Sequence, residues 1–516
     1  DGTSMGAAST GCCSGNGLVL PPNEQEGKVA CVRRLFQQGI AVVDDDDLQT
    51  EGQEHVYNFL EELSPEALAR LEEQLAELEP AELRHHLEAA LKAEAAMAHK
   101  STLSAPPILN WNAKRTPTLG TGAVTTVLQD VRQHFVQRWR DAGVRELAHG
   151  RVGVVLLAGG LEQSSGGGSN AISCADIGLP SRKSIFQLLC ERLRRLDHIV
   201  ALSRHAADVQ ALHARVDNVK RDKGVSVPVG EPAPKVHIPL YVMVNRENEF
   251  LVSGFFKENN YFGLHESDVL FFVQGNAPFL DINGRVRLKS KGSIWSQPGG
   301  CGGLFRALID SGALADMKTR GVAAMYVLSS NNALAKIADP TLIGFCKVNK
   351  VSVGMKVIER LSAEEEVGIL TNDARTRFVD VDKDGDLDEV TELRPFLVQH
   401  HQMKNEQSHK QDRKGRLLFA DADACQYFFG LDAFEKMCRA KSTRHAIPAS
   451  VPYMSTRGVI VKPRGLRKTF KMQSYIGDVF GNMPHVLALR VDPYAEWARV
   501  QKALDAVPAV AALSLL

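Results

Sequence analysis

The chain has 516 residues, 44% hydrophobic and 24% charged, which is long enough for roughly two or three domains around a large core. Its 61 basic and 61 acidic residues cancel, which argues against a general nucleic-acid or membrane-surface role while leaving room for a local basic patch. No stretch approaches the ~20 apolar residues that span a bilayer, and the cysteines, without paired metal spacing, read as reduced thiols.

Residues 1–50 read as a disordered or targeting-derived tail that ends in the acidic run Asp44 to Asp47. Met5-Gly6-Ala7-Ala8-Ser9-Thr10 fits an N-myristoylation pattern, with Cys12-Cys13 available for a second acyl chain. Asp1 to Ser4 precede Met5, so the pattern as written is not a substrate, and a processed leader is the alternative. Residues 51–118 form an N-terminal helical region. Ser64-Pro65-Glu66 supplies a capping hydroxyl, a first-turn proline and an acid at the positive end of the helix dipole. Leu68, Leu71, Leu75 and Leu78 then line one helical face, and Pro80 starts a further helix. The pattern lasts too few heptads for a coiled coil and predicts a bundle packed on the main domain.

From 119 to 400, short apolar runs at Val152 to Leu157, Ile238 to Val244, Val269 to Val273 and Val322 to Leu328 predict buried strands. Helical stretches at Ser184 to Leu196, Glu249 to Asn259 and Leu304 to Thr319 separate them. The alternation predicts an α/β fold, a Rossmann-like central mixed sheet flanked by helices. Residues 197–235 read as a loop or an inserted helix. Residues 401–491 continue the same domain as a hairpin-rich part, and 492–516 read as a divergent C-terminal helix.

Chemistry concentrates after the first long strand. Leu157 runs into Ala158-Gly159-Gly160 and a glycine-rich loop, the pattern of a nucleotide-binding site, yet Leu161 to Ser181 contains no Lys, Arg or His. Its only charges are Glu162 and Asp176, both of which repel phosphate. Backbone amides around Gly166-Gly167-Gly168 offer an anion nest, but ordering three glycines costs entropy. Arg182, Lys183 and Lys471 are cations outside the loop, and Arg182 and Lys183 read equally as an exposed helix turn. Asp380 to Asp388 has the acidic spacing of a calcium loop, but position 12 is Thr391 and not Glu. A hairpin turning at Asp384-Gly385 and a weak calcium site both remain open. His400, His401 and His409 read as a solvated loop, and no metal ligand set is expected.

With these landmarks placed, the chain resembles the eukaryotic UDP-N-acetylhexosamine pyrophosphorylases from about Gln53 to about Val491. The shared motifs keep their order: Leu157-Ala158-Gly159-Gly160, Gly178-Leu179-Pro180-Ser181-Arg182-Lys183, Tyr261-Phe262-Gly263-Leu264, Phe271-Phe272 with Gln274-Gly275, and Gly302-Gly303-Leu304. Ala338-Asp339-Pro340, Ile343-Gly344-Phe345, Leu417-Leu418-Phe419, Val451-Pro452-Tyr453 and Lys471-Met472 follow. The resemblance implies the nucleotide-diphospho-sugar transferase fold, a cytoplasmic location (an organellar one after N-terminal processing is the alternative) and uridylyl transfer from UTP to a hexosamine 1-phosphate.

The departures fall at the chemistry. The family loop G-G-x-G-T-R-x-G leads to a Pro-Lys pair; here the Arg position holds Ser164 and the Pro-Lys position Ala171-Ile172. The family's Asp-Asn pair, whose Asp lies near the metal, is Asn331-Asn332. The P-D-G-N-G-G loop is Pro298-Gly299-Gly300-Cys301-Gly302-Gly303, and the sugar-holding N-A-G-N is Ala420-Asp421-Ala422-Asp423. The paired glutamines are Val273-Gln274, and the Ser-Pro-x-Lys segment that opens the family's C-terminal region is absent. Gly159, Gly160, Gln274, Gly300 and Lys471 are what remains of the substrate-binding set. In-line displacement at phosphorus depends on positioned cations, each worth ~10²–10³ in rate. The expectation is therefore a catalytically degenerate relative without a cofactor, acting as a structural or accessory subunit among other protein subunits. The alternatives are a UDP-sugar or UTP binder without turnover, and an active uridylyltransferase using Mg²⁺ with replacement cations from Arg464, Arg467 or Lys468.

Overall fold

The computed structural model describes residues 53–76, 78, 80–98, 103–106, 108–109, 124–128, 133–159, 172–221, 237–379, 388–439, 443–463, 469–483 and 485–500. The 1–50 tail, Gly160, Ser164, Ala171, the acidic stretch 380–387, Arg464, Arg467, Lys468 and 501–516 lie outside the described residues.

A 12-stranded mixed sheet forms the centre. Its main path runs Ile108–Leu109, Val124–Leu128, Val486–Val491, Val353–Glu359, Asp421–Gly430, Ala324–Ser329, Val152–Leu157, Leu240–Val244 and Val269–Val273. Asp421–Gly430 runs antiparallel to both neighbours, and the other pairs along this path are parallel. Valines and leucines fill both faces, so Val152–Leu157 and Leu240–Val244 are buried almost end to end, as strands covered on two sides must be. The α/β expectation holds, with the antiparallel insertion in mid-sheet.

A four-stranded antiparallel sheet (Ser296–Pro298, Asn276–Leu280, Thr469–Gln473, His445–Ala449) stands beside it. The N-terminal helices Pro65–Ala76 and Pro80–Ala98 cover this sheet. Leu68, Leu71 and Leu75 of the leucine stripe read from the sequence pack in one cluster with Leu280, Phe470 and Met472, with Leu78 partly buried against it, and Leu83 and Leu87 of the second helix join them.

Other elements differ from expectation. The helix begun near Ser184 does not stop at Leu196; it runs Ile185–Arg221, so of the two readings of 197–235, loop or inserted helix, the helical one holds to Arg221, as a continuation and not a separate helix. The stretch from Leu304 to Thr319 is two helices, Leu304–Asp310 and Ala313–Thr319, broken at Gly312 with φ +75°. Ile369–Val379 and Asp388–Val398 pair in full antiparallel register down to Val379 opposite Asp388. The acidic loop is thus flanked by two strands and not by the helix pair of an EF-hand. Of the 492–516 segment read as a C-terminal helix, the described part to Val500 is a single helical turn, Pro493–Glu496, followed by extended chain, and the rest lies outside the described residues.

Two helices meet with almost no space between them. A Cβ on Gly344 would lie 1.7 Å from the Trp139 carbonyl oxygen, and one on Gly143 1.9 Å from that of Pro340. This contact seats Trp139 against Phe345, with ring centroids 4.8 Å apart. Gly344→Ala is expected to force backbone separation and to lower stability by about 1–3 kcal/mol or more, read as a drop in the urea midpoint at unchanged slope.

Candidate functional site

A cleft of about 450 Å³ opens where the Val152–Leu157 and Ala324–Ser329 strands end side by side. The chain leaves the first of these strands toward one edge of the sheet and returns on the other side of it. That switch point is where open α/β sheets leave room for a ligand.

Gly159, Gln274, Gly300, Asn331 and Lys471, though scattered in sequence, all line this cleft. Asn245 Nδ2 and Gln274 Nε2 donate to the Gly159 carbonyl at 3.0 and 2.9 Å, and Asn248 Nδ2 donates to that of Ala158 at 2.8 Å. A side chain on Gly159 would sit 2.1 Å from Gln274 Nε2, so glycine is what permits this approach. Gln274 is buried, and among the described residues nothing donates to its Oε1. Gly300 holds φ +92° against the Ser474 backbone, which turns the Gly299 to Gly303 loop onto the strand that carries Lys471. Burial lowers the Lys471 pKa. Ile172 begins a short 3-10 turn, and its side chain lies outside what is described.

Arg182 and Lys183 do not line the cleft: both sit just before the helix that begins at Ile185, where Arg182 is exposed with φ +53° and Lys183 pairs with Glu191 at 2.6 Å. Of the two acids at Asp421 and Asp423, Asp421 pairs with Arg490 at 2.7 Å and serves the sheet. Asp423 instead lines the cleft, where its carboxylate accepts from Cys425 N at 2.8 Å and from the Tyr427 hydroxyl. Burial without a neighbouring cation pushes its carboxyl up to about 6. Burial also pushes the Cys301 thiol up to about 12, which leaves it inert as a nucleophile.

A divalent ion has no carboxylate to hold it at Asn331. Its carboxamide is neutral, and its Oδ1 already accepts from Ser329 Oγ at 2.7 Å. Among the described residues no three His, Cys, Asp or Glu side chains converge on a metal position. The described residues around Asn331 do not fit the ion. His409 is exposed and paired with Glu364 at 3.0 Å.

The sequence reading missed Trp497 and Arg499, which line the cleft from the C-terminal segment. No motif marks them, since Arg499 arrives through a backbone bridge to Asn332, far away in sequence. It also missed Tyr427, which period-two spacing from Asp423 and Cys425 on one strand could have flagged.

The chain is 30% identical over 460 residues to UDP-N-acetylhexosamine pyrophosphorylase-like protein 1 of Homo sapiens, covering 88% of this chain and 79% of that protein. The chain belongs to the UDP-N-acetylhexosamine pyrophosphorylase family. UDP-N-acetylglucosamine pyrophosphorylase of Saccharomyces cerevisiae is 26% identical over 443 residues, covering 84% of this chain and 80% of the yeast protein. The family model for UTP--glucose-1-phosphate uridylyltransferase matches residues 231–397 of this pyrophosphorylase relative. Among solved structures, the uridine diphosphate N-acetylglucosamine pyrophosphorylase of Trypanosoma brucei, in complex with an inhibitor, superposes with a TM-score of 0.68 at 20% identity, covering 95% of this chain and 85% of that one. UDP-glucose pyrophosphorylase of Leishmania major gives 0.52 at 14%, with 87% and 79% covered. At these identities the structural likeness speaks for the fold. In this pyrophosphorylase-family chain, no helix among the described residues is long and apolar enough to cross a membrane.

Proposed function

We propose that this family member binds a UDP-sugar without turning it over. The observation that carries the reading is Gln274. It is a buried carboxamide of the cleft wall, fixed by the Gly159 carbonyl, and its buried Oε1 is satisfied by no protein group among the described residues. A buried acceptor left open costs free energy unless a ligand or water donates to it, and the N–H of a uracil ring is such a donor. Gly159, Gly160, Gln274, Gly300 and Lys471 are the binding set in this reading, and Ser164, Ala171, Ile172 and Asn331 are the replaced catalytic positions.

Loss of turnover follows from charge. Two loop cations and one metal-side carboxylate are replaced together, and each such group supplies ~10²–10³ in rate. A second reading, an accessory subunit for other proteins, draws support from a groove of about 1010 Å³ between helices Gln133–Ala148 and Ile185–Arg221, which Arg140, Arg195 and Lys336 line. Such a basic groove suits an acidic partner.

Calorimetry with UDP-N-acetylglucosamine and with UTP, with and without Mg²⁺, together with a pyrophosphate-release assay, decides among these. Saturable binding with no turnover is expected. Turnover would make the chain an active uridylyltransferase, and absence of binding at millimolar ligand would leave the accessory-subunit reading.

A further inference from the structure

The C-terminal segment is held beside the cleft by polar contacts with Asn332, Lys336 and Lys356. Asp492 caps its one helical turn by accepting from Tyr494 N at 2.9 Å, with Pro493 in the first helical position. Glu496 is 1% exposed and reaches both Lys336 and Lys356 at 2.6 Å. Asn332, equally buried, donates through Nδ2 to the Glu496 carbonyl at 2.9 Å and accepts from Ala498 N at 2.9 Å and Leu334 N at 3.1 Å. Backbone bonds from Ala333 N to Ala498 O and from Val500 N to Asn331 O complete a short ladder.

Alternation along this extended piece buries Ala498 and Val500 and leaves Trp497 and Arg499 at the cleft. Arg499 is therefore an exposed arginine on a rigid backbone, one ladder step from the loop where the family carries its metal-side carboxylate. Its Nη1 makes a long bond of 3.3 Å to the Glu366 carbonyl, and among the described residues no carboxylate pairs with it. A guanidinium has five N–H donors, so most of its fork remains available.

We propose that Arg499 is the diphosphate-binding cation of this chain, standing in for a divalent ion at a site that Asn331 no longer equips to hold one. The proposal rests on the UDP-sugar-binding reading above and deepens it. A planar guanidinium meets two phosphate oxygens at once, which an ammonium cannot do, and it needs no carboxylate ligand to keep it in place. Ligand binding is then independent of Mg²⁺, and the phosphate-facing charge comes from the C-terminal segment in place of the glycine loop.

The test uses the full chain in calorimetry, with UDP-N-acetylglucosamine and with uridine, each in Mg²⁺ and in EDTA. Wild type is expected to bind UDP-N-acetylglucosamine equally in both buffers. Arg499→Ala is expected to weaken it about 10–100-fold, the worth of charge-assisted hydrogen bonds, while leaving uridine binding unchanged. Arg499→Lys should recover only part of the loss. The Arg499→Ala protein should unfold at the wild-type temperature, which separates lost ligand contact from lost structure. Equal affinity of Arg499→Ala and wild type, or loss of wild-type binding in EDTA, overturns the assignment and leaves the UDP-sugar reading standing. If wild type binds neither UDP-N-acetylglucosamine nor uridine, the UDP-sugar reading falls and this assignment with it.

Discussion

Lys356→Ala is expected to destabilise the protein by about 3–5 kcal/mol, the cost of removing one partner from a buried ion cluster. Lys356 is fully buried and lies 2.6 Å from both Asp339 and Glu496. Burial alone would lower its pKa, but the attraction of Asp339, with Glu496 adding to it, more than offsets this and holds the ammonium charged. Truncation leaves two carboxylates in the interior without their shared cation. Asp339 also caps helix Pro340–Val348 through Thr341 N at 2.9 Å, so its repulsion would reach the Gly344 contact as well. Glu496 anchors the segment that brings Arg499 to the cleft, so under the proposed UDP-sugar-binding function Lys356→Ala should weaken that binding too. Urea unfolding followed by circular dichroism measures the first effect and calorimetry the second. A midpoint within experimental scatter of wild type would refute the argument.

Asp423→Asn is expected to do the opposite and stabilise the protein at neutral pH. The folded carboxyl titrates at about 6 against an ordinary 3.8, because burial outweighs the hydrogen bonds from Tyr427 and Cys425. The folded state therefore holds its proton more tightly than the unfolded chain does. Stability from this group is intact below pH 3.8, falls as pH rises toward 6, and above that is lower by on the order of 3 kcal/mol. Asparagine keeps the shape without the charge, so it should recover up to about that amount at pH 7 and nothing near pH 4. Thermal melts of both proteins at pH 4.5 and 7.5 would show the difference opening with pH. A gain of the same size at both values would point to packing and not to the carboxylate.

The fold was legible because its signals are local. The Val152 to Leu157 and Val269 to Val273 runs had the length and composition of buried strands, and Leu68, Leu71 and Leu75 marked a helix face on their own. Where the reading slipped, the deciding contact was distant. Nothing near Leu196 shows that the helix continues to Arg221, since polar residues there suit a loop as well as an exposed helical surface. Only Gly312, in left-handed backbone geometry, divides the stretch read as one helix from Leu304 to Thr319.

Taken alone, the amino-acid sequence determined the α/β class and the helical N-terminal region, because each depends on residue identity and short spacing. Tertiary structure alone decided that Asp421 serves the sheet while Asp423 faces the cleft, that Lys183 is spent on Glu191, and that the C-terminal segment belongs to the site. Those outcomes depend on which strand lies beside which. Val486–Val491 inserts next to Val353–Glu359 through backbone pairing that any apolar strand could make, and Arg499 comes to the cleft only because that insertion carries it there.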